Sequence, residues 1–177
     1  MIIEKTNIKD LLIIKQKNNQ DNRGQLRETF NDKILKKKFI FEYCTTSKKN
    51  VLRGFHFQTK FKQSKYVNVL KGKILDVVID LRKNSKTFGR TFSIILSSIN
   101  AKGLYIPAGF AHAYYSYEKE NIIYYKLDNY YAPKYESGII YNDNDLDIKW
   151  PMKKILISKK DKKLLSFKYF CKKYIGL

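Results

Sequence analysis

The sequence has little of several residues that mark other classes of protein. Its 177 residues include two cysteines, three prolines, one tryptophan and two histidines. Cys44 and Cys171 form no CxxC motif, so neither a disulfide framework nor a cysteine-based metal site is predicted. The longest apolar runs are only a few residues, as in Val77–Ile79, which excludes a membrane-spanning helix. The first residues include an early acid and no extended apolar region, so we predict no signal peptide and a cytoplasmic location.

Acidic residues are also scarce. The chain has 36 lysines and arginines against 16 aspartates and glutamates, for a formal net charge of +20. Because the lysines are dispersed, they favour a solvated surface over a specific site for nucleic acid or a membrane, and neither partner is predicted. The same positive field would steer a phosphate-bearing small molecule toward the protein. Nucleic-acid binding remains an alternative on charge alone, and salt-dependent binding to random-sequence DNA would test it.

Short apolar segments separated by turn residues run through most of the chain. Many short strands without helix–strand alternation predict an all-β fold, an antiparallel sandwich or barrel in one domain spanning residues 1–177. The clearest predicted hairpin joins Tyr66–Leu70 to Ile74–Leu81 through a turn at Gly72. From Asp161 to Tyr174 the spacing becomes helical, which predicts a short C-terminal helix docked on the core.

The two histidines occupy positions that packing alone explains poorly. His56 lies in the apolar segment Val51–Gln58, close to Arg53, and His112 follows a turn of small residues. Side chains alternate along a strand, so Arg53 and His56 would face opposite sides of a regular sheet. We therefore predict a β-bulge at Gly54, which would bring both side chains into one cavity of an enzyme site.

Many separately spaced motifs follow one another over about residues 1–165. They are, in order, Asp21-Asn-Arg-Gly24, Leu52–Gln58, Asp80–Lys83 with Thr87-Phe-Gly89, Ile106–His112, Tyr125-Lys126, Asn129-Tyr-Tyr131, Asn142-Asp143 and Trp150-Pro151. Together they resemble the dTDP-4-dehydrorhamnose 3,5-epimerase family of nucleotide-sugar epimerases. The resemblance implies a cupin-like jelly roll that works as a homodimer and needs no metal or other cofactor.

The chemistry of such an epimerase explains its residue types. In a 4-keto sugar the ketone acidifies the hydrogens on C3 and C5. Inversion removes one of them as a proton, holds an enolate, and returns a proton to the opposite face. The reaction therefore needs a base, a group that stabilises the enolate oxygen, and an acid across the ring.

The resemblance assigns these roles to four residues. His56 is the candidate base, since imidazole titrates near neutral pH, and Asp161 is the carboxylate that would orient its ring. Lys65 is the candidate enolate stabiliser. Its neighbours Lys60 and Lys62 remain alternatives, and Lys65 is preferred because it directly precedes a strand. Tyr125 is the candidate acid, and period-two alternation places it on the same strand face as Ile123 and Leu127.

Further positions match nucleotide or sugar contacts of the family. They are Arg23, Glu28, Phe41, Tyr43, Arg53, His112, Tyr131, Glu136 and Lys160. Arginine suits a diphosphate because its planar fork donates paired hydrogen bonds. Phe41 and Tyr43 stand where the thymidine-sugar enzymes carry a pair of amide side chains, and aromatic rings favour base stacking instead. We therefore predict a GDP-linked 4-keto-heptose as substrate, in the synthesis of surface polysaccharides such as capsule or lipopolysaccharide.

Several other functions are compatible with parts of this pattern. A C3-only epimerase needs the same base, and a dTDP-4-keto-6-deoxyhexose 3,5-epimerase differs only in substrate. A cupin ketoisomerase shares the expected fold but not the motif set. A sugar-nucleotide-binding module without catalysis would be expected to lack His56 or Tyr125, and both are present.

Overall fold

Short β-strands dominate the fold in a computed structural model that describes residues 1–151 and 154–177. The strands are β1 (Ile2–Lys5), β2 (Leu12–Lys15), β3 (Lys17–Asp21), β4 (Gly24–Glu28), β5 (Phe41–Lys48), β6 (Leu52–Gln58), β7 (Lys65–Lys71), β8 (Lys73–Asp80), β9 (Thr91–Ser97), β10 (Lys102–Ile106), β11 (Phe110–Ser116), β12 (Glu120–Leu127) and β13 (Glu136–Gly138). Helices α1 (Asp32–Leu35) and α2 (Phe167–Tyr174) are accompanied by 3₁₀ turns at Pro133–Tyr135 and Asp161–Lys163. None of the helices in this described part of the chain combines the length and apolar character needed to cross a membrane.

All of these strands except β3 and β4 form two antiparallel sheets packed face to face. One has six strands in the order β1-β2-β10-β7-β12-β5, and the other has five in the order β13-β6-β11-β8-β9. Consecutive strands β10, β11 and β12 alternate between the sheets, as expected of a jelly roll. The predicted all-β, cupin-like sandwich with a short C-terminal helix is therefore confirmed.

The five-stranded sheet is covered on both faces. Its inward side chains, such as Val78, pack against the six-stranded sheet in the main core. Its outward side chains, such as Val77, pack beneath Trp150 and Phe170 from the C-terminal segment. Double coverage explains why β8 and β11 are apolar and buried nearly throughout, without the alternation of a half-exposed strand.

The hairpin predicted around Gly72 is wrong. Strands β7 and β8 follow one another, but β7 pairs with β10 and β12 whereas β8 pairs with β9 and β11. Gly72 has a φ of +84°, and a Cβ there would lie 2.5 Å from the side-chain oxygen of Asn121. The turn thus carries the chain tightly from one sheet to the other. A glycine between two apolar strands is common to hairpins and to such corners, so local sequence does not separate them.

The C-terminal helix is shorter than predicted. The segment Asp161–Tyr174 begins with a 3₁₀ turn, and α2 starts only at Phe167. Ser166 caps α2, because its side-chain oxygen accepts a hydrogen bond of 3.2 Å from the backbone N–H of Tyr169. Phe170 in α2 is fully buried, so the predicted docking of this helix on the core is confirmed.

Strand β3 is not predicted from the sequence. Its five residues, Lys-Asn-Asn-Gln-Asp, are all polar and exposed, so they carry no apolar alternation. The strand forms by pairing with β4 in a separate two-stranded ribbon. This exposed ribbon carries Arg23 at its turn and Glu28 at its end.

Candidate active site

The predicted bulge at Gly54 is confirmed by the pairing of β6 with β11. His56 pairs with His112, whereas Arg53, three residues earlier, pairs with Tyr114, only two residues along the partner strand. Strand β6 therefore holds one extra residue at this point. Gly54 has a φ of +113°, and a Cβ there would lie 2.5 Å from the carbonyl oxygen of His112, so only glycine fits. The bulge leaves Arg53 and His56 lining the same cavity.

His56 is held by a buried carboxylate from a distant part of the chain. Its Nε2 lies 2.9 Å from Oδ1 of Asp161, and the other carboxylate oxygen accepts the backbone N–H of Gly54 at 3.2 Å. Burial acts to raise the pKa of Asp161, but the hydrogen bond and charge of His56 and the Gly54 N–H outweigh it, so the pKa is lowered. A carboxylate that stays ionised can orient the imidazole and stabilise its protonated form.

His56 lies where two cavities meet. The lysine pocket, of about 70 Å³, contains Lys65, and the arginine cavity, of about 480 Å³, contains Arg53. The lysine pocket is lined by Tyr43, His56, Phe57, Gln58, Gln63, Lys65, Tyr131 and Glu136. The arginine cavity is lined by Val51, Leu52, Arg53, His56, Leu156, Ile157, Ser158, Lys160 and Asp161. A larger cavity of about 610 Å³ surrounds Arg82 and contains no predicted site residue.

Lys65 is the lysine that shares a pocket with His56. It lines the same pocket, whereas Lys60 and Lys62, the alternatives left open by the sequence, are exposed and do not line it. Burial lowers the pKa of Lys65 to about 8, although Glu136 and another nearby acid act to raise it. The ammonium group is thus costly to hold in this pocket and would gain from a developing negative charge.

Tyr125 lies in the interior of the sandwich on the predicted face of β12. It is 3% exposed, and its ring stacks on Tyr43 with centroids 4.8 Å apart. The ring of His112 lies 6.0 Å away in an edge-on arrangement. Burial raises the pKa of Tyr125 well above its ordinary value, and neighbouring tyrosines and Asp76 act in the same direction. The phenol is therefore protonated at neutral pH and able to give a proton.

His112 forms a second histidine–carboxylate pair beside the first. Its Nε2 lies 2.8 Å from Oδ2 of Asp76, and both residues are buried. Because His112 on β11 is the cross-strand neighbour of His56 on β6, the two histidine–carboxylate pairs lie side by side. The sequence reading missed Asp76. A carboxylate inside the apolar run Ile74–Ile79 was the signal that could have identified it.

Three other predicted residues meet at the edge of the lysine pocket. The hydroxyl of Tyr131 donates to Oε2 of Glu136 at 2.7 Å, and Lys160 contacts the same carboxylate. Burial acts to raise the pKa of Glu136, but the hydrogen bonds from Lys160 and Tyr131 and the charge of His56 outweigh it and lower the pKa. These polar groups lie within a few side chains of His56, where a substrate could bind them.

The two aromatic residues assigned to the base pocket are neighbours on β5. Phe41 and Tyr43 have ring centroids 5.7 Å apart, and Tyr130 lies 6.0 Å from Phe41. Tyr43 also lines the lysine pocket. The three rings form an aromatic surface next to His56 on which a planar base could stack.

The structure does not bring Arg23 and Glu28 into this site. Arg23 is exposed at the turn of the β3–β4 ribbon, where it pairs with Asp21 at 2.6 Å. Glu28 accepts a hydrogen bond of 2.8 Å from the side chain of Asn31. Neither residue lines the lysine pocket or the arginine cavity.

Metal-binding side chains are not grouped in the described ranges. Across residues 1–151 and 154–177, no three or more histidines, cysteines, aspartates or glutamates are close enough to hold an ion together.

Comparisons with known proteins agree on one family. A family model described as dTDP-4-dehydrorhamnose 3,5-epimerase matches residues 5–169. An enzyme of that name from Methanothermobacter thermautotrophicus is 40% identical over 166 residues, covering 89% of this chain and 90% of the relative. The crystal structure of one from Bacillus anthracis, with TDP and PPi bound, has a TM-score of 0.90 at 35% identity and covers 94% of this chain and 99% of that one. The dTDP-6-deoxy-D-glucose-3,5-epimerase of Legionella pneumophila, in complex with dTDP-4-keto-L-rhamnose, has a TM-score of 0.88 at 37% identity, covering 92% of this chain and 90% of that one.

Proposed function

Because the chain belongs to the dTDP-4-dehydrorhamnose 3,5-epimerase family of isomerases, we propose that it inverts C3 and C5 of a dTDP-linked 4-keto-6-deoxyhexose. The observation that carries this proposal is the convergence of an aspartate-held histidine and a buried lysine on one pocket, with a protonated tyrosine close by. These are the base, the enolate stabiliser and the acid that the reaction needs.

Each group has a defined part in the proposed reaction. His56 takes the proton from the carbon next to the ketone, and Asp161 stabilises the resulting imidazolium. The ammonium group of Lys65 stabilises the enolate oxygen in a pocket where burial lowers the pKa of this lysine to about 8. Tyr125 then gives its proton to the carbon from the opposite face.

The sugar and diphosphate would be held by polar groups around the two cavities. Arg53 presents a guanidinium to the arginine cavity, and Lys160 lies at its border with the lysine pocket. A formal charge of +20 adds long-range attraction for an anionic nucleotide. No metal or other cofactor enters this scheme.

The residues and the relatives point to different nucleotide bases. The similar proteins named above are dTDP enzymes, which supports thymidine, and the predicted preference for a GDP-linked heptose gains no support from them. Phe41 and Tyr43 nevertheless offer stacking in place of amide hydrogen bonds, so the guanosine prediction keeps a specific physical basis. Calorimetric titration with dTDP and GDP tests it, since tighter binding of dTDP would contradict the guanosine prediction.

A homodimer stays a prediction. It would explain why Arg23 and Glu28, two predicted substrate contacts, lie away from the site. Arg23 and Glu28 lie on an exposed ribbon away from their own pocket. In a symmetric dimer such a ribbon can reach the neighbouring subunit, where both side chains could contact its nucleotide. The cytoplasmic location and the single-domain organisation over residues 1–177 likewise remain predictions.

Deuterium exchange tests the proposed reaction directly. Proton NMR in D₂O with a dTDP-4-keto-6-deoxyhexose and a GDP-4-keto-heptose would score deuterium at C3 and C5 separately. We expect exchange and inversion at both carbons of the dTDP sugar. Exchange at C3 alone would support the monoepimerase alternative, and no exchange with either sugar would contradict the proposal. In the Tyr125→Phe variant, inversion should be impaired while proton exchange through His56 can continue.

A further inference from the structure

The cavity around Arg82 is not used by the proposed reaction. Its volume of about 610 Å³ lies within the range of small-molecule binding sites. In the described part of the chain it shares no lining residue with the lysine pocket or the arginine cavity. The motif Asp80–Lys83 with Thr87-Phe-Gly89, which the reaction also leaves without a role, supplies part of its wall. We call this space the Arg82 cavity.

The guanidinium of Arg82 is fixed in the wall of this cavity. Its Nε and Nη2 donate to the two carboxylate oxygens of Asp80 at 2.9 and 2.8 Å, and Nη2 also donates to the backbone carbonyl of Lys9 at 3.1 Å. The guanidinium lies 4.7 Å from the centre of the Phe110 ring. Gly109 leaves room for the side chain, because a Cβ there would lie 2.6 Å from Cγ of Arg82. A cation held in this way loses little further freedom when it binds a ligand.

The buried carboxylate of Asp80 also shapes the loop that follows it. The hydroxyls of Ser85 and Thr87 each donate to its Oδ2 at 2.6 Å. Burial acts to raise the pKa of Asp80, but the hydrogen bonds from Arg82, Ser85 and Thr87 outweigh it and lower the pKa. The carboxylate therefore stays ionised at neutral pH, and the loop presents its lysines to the cavity from a fixed backbone.

Positive charge in the Arg82 cavity exceeds the negative charge around it. The charged residues that line it are Lys9, Arg82, Lys83 and Lys86 and a single acid, Asp10. Asp10 lies 3.4 Å from the guanidinium of Arg82, and Asp80 pairs with the same guanidinium. Across residues 1–151 and 154–177, none of the three lysines forms an ion pair. A cleft with an excess of one charge concentrates its field on the opposite charge, so an anion is the expected ligand.

The donors and the size of the cavity suit the diphosphate of a nucleotide. Within the described residues, Nη1 of Arg82 has a single long contact of 3.4 Å to Asp10, so it keeps a free N–H for a ligand. Phosphate oxygens accept hydrogen bonds from guanidinium and ammonium groups alike. A single inorganic phosphate would fill little of about 610 Å³. A nucleic acid presents its phosphates along an extended line, whereas these cations surround one concavity.

We propose that the Arg82 cavity is a second binding site, which takes the diphosphate group of a nucleotide between Arg82 and the lysines of the loop that follows it. The inference does not rest on the proposed reaction, because it concerns binding at residues that have no part in proton transfer. A nucleotide bound here would leave the groups around His56 free, so both sites could be occupied together.

Two double variants with the same change in net charge test the site. The cavity variant is Lys83→Gln with Lys86→Gln, which removes two exposed ammonium groups from the loop. Arg82 is kept, because its loss would leave the buried carboxylate of Asp80 without its charged partner and destabilise the fold. The matched control is Lys168→Gln with Lys172→Gln, two exposed lysines of α2 that do not line the cavity.

Calorimetric titration with dTDP counts the sites, and ¹H–¹⁵N NMR spectra with dTDP and with inorganic pyrophosphate locate them. We expect two dTDP molecules per unmodified chain, and shifts of the backbone amides of residues 82–87 with either probe. In the cavity variant one of the two affinities should fall about tenfold, since each exposed ion pair contributes a factor of about three. The other affinity should change by less than about threefold. The control variant should keep both affinities and the amide shifts.

The possible results separate this inference from the proposed function. A single dTDP per chain, with no amide shifts in residues 82–87, would overturn the second site. Equal losses of affinity in the two double variants would overturn it too, because that pattern reports net charge alone. Tighter binding of random-sequence DNA than of dTDP, weakened in the cavity variant, would show that the site takes nucleic acid instead. A lack of deuterium exchange with either 4-keto sugar would contradict the proposed reaction and leave the second site standing.

Discussion

The charge of Lys65 leads to a quantitative prediction about pH. Burial lowers its pKa from the ordinary 10.5 to about 8. With that pKa, about nine-tenths of the Lys65 side chains carry a proton at pH 7 and about one-tenth at pH 9. If the ammonium form stabilises the enolate, kcat/KM should fall about tenfold over this range, since kcat/KM reports the ionisation of the free enzyme. Tyr125 does not contribute to this fall, because its pKa is raised well above its ordinary value.

Unfolding does not explain such a loss. Between pH 8 and 10.5 the unfolded chain holds the proton on Lys65 more tightly than the folded chain does, so this residue makes the folded state more stable as pH rises. The difference from 10.5 to about 8 corresponds to at most about 3 kcal/mol, reduced by the opening of the pocket to solvent. Lys65→Met should therefore raise the free energy of unfolding at pH 7 while it removes activity.

Initial-rate measurements from pH 6.5 to 9.5 with a dTDP-4-keto sugar check the prediction, and urea denaturation at pH 7 and 9 controls for stability. Lys65→Arg is the matched variant, because a guanidinium stays charged over the whole range. Its kcat/KM is expected to be lower than that of the unmodified enzyme but level between pH 7 and 9. A level profile in the unmodified enzyme, or an alkaline fall that persists in Lys65→Arg, would refute the reasoning.

Three further substitutions test other parts of the site, and a fourth, Gly24→Ala, is the control for the last of them. His56→Asn should abolish turnover but change the calorimetric affinity for dTDP by less than about threefold, and near-normal turnover would contradict its role as base. Asp161→Asn should lower kcat about a hundredfold or more. Because the folded-state pKa of Asp161 is lowered, its carboxylate stabilises the fold above the ordinary value of 3.8, and this contribution is lost as pH falls through the folded value. Denaturation of the Asn variant should therefore depend less on pH in the acid range. Gly54→Ala should destabilise by about 3 kcal/mol or more, because its Cβ would lie 2.6 Å from Cα of Ala113. Gly24→Ala has a positive φ but nothing within 4 Å, so a smaller loss of about 1 kcal/mol is expected in the same urea titration, and equal losses would contradict the clash.

Local sequence predicted most strands but not how they pair. Alternation and turn residues depend on neighbours along the chain, so segments such as Tyr66–Leu70, which lies within β7, are visible as strands. Pairing depends on residues far away along the chain. Local sequence therefore predicts a hairpin at Gly72, where the structure has a connection from one sheet to the other. The polar strand β3 has no apolar alternation that could predict it. It is extended because it pairs with β4.

The bulge at Gly54 lies between these two cases. The family resemblance places Arg53 and His56 in one site, and because they are an odd number of residues apart with a glycine between them, it implies a bulge. The register of β6 against β11 then shows the extra residue at that place. A short segment was sufficient for this prediction, because the two side chains that must share one cavity, Arg53 and His56, are only three residues apart.

Periodicity and motifs taken in order were enough to predict the fold class, the family and the types of residue needed for epimerisation. Which groups meet depends on the folded structure. Asp161 reaches His56 across 105 residues, and Asp76 reaches His112 from the neighbouring strand. Hydrogen bonds that run from Arg53 through Ser47 and Tyr114 to Thr45 join three strands in two sheets. Hydrogen bonds and pKa values depend on distances of a few ångströms, and folding sets those distances between residues that the sequence leaves far apart.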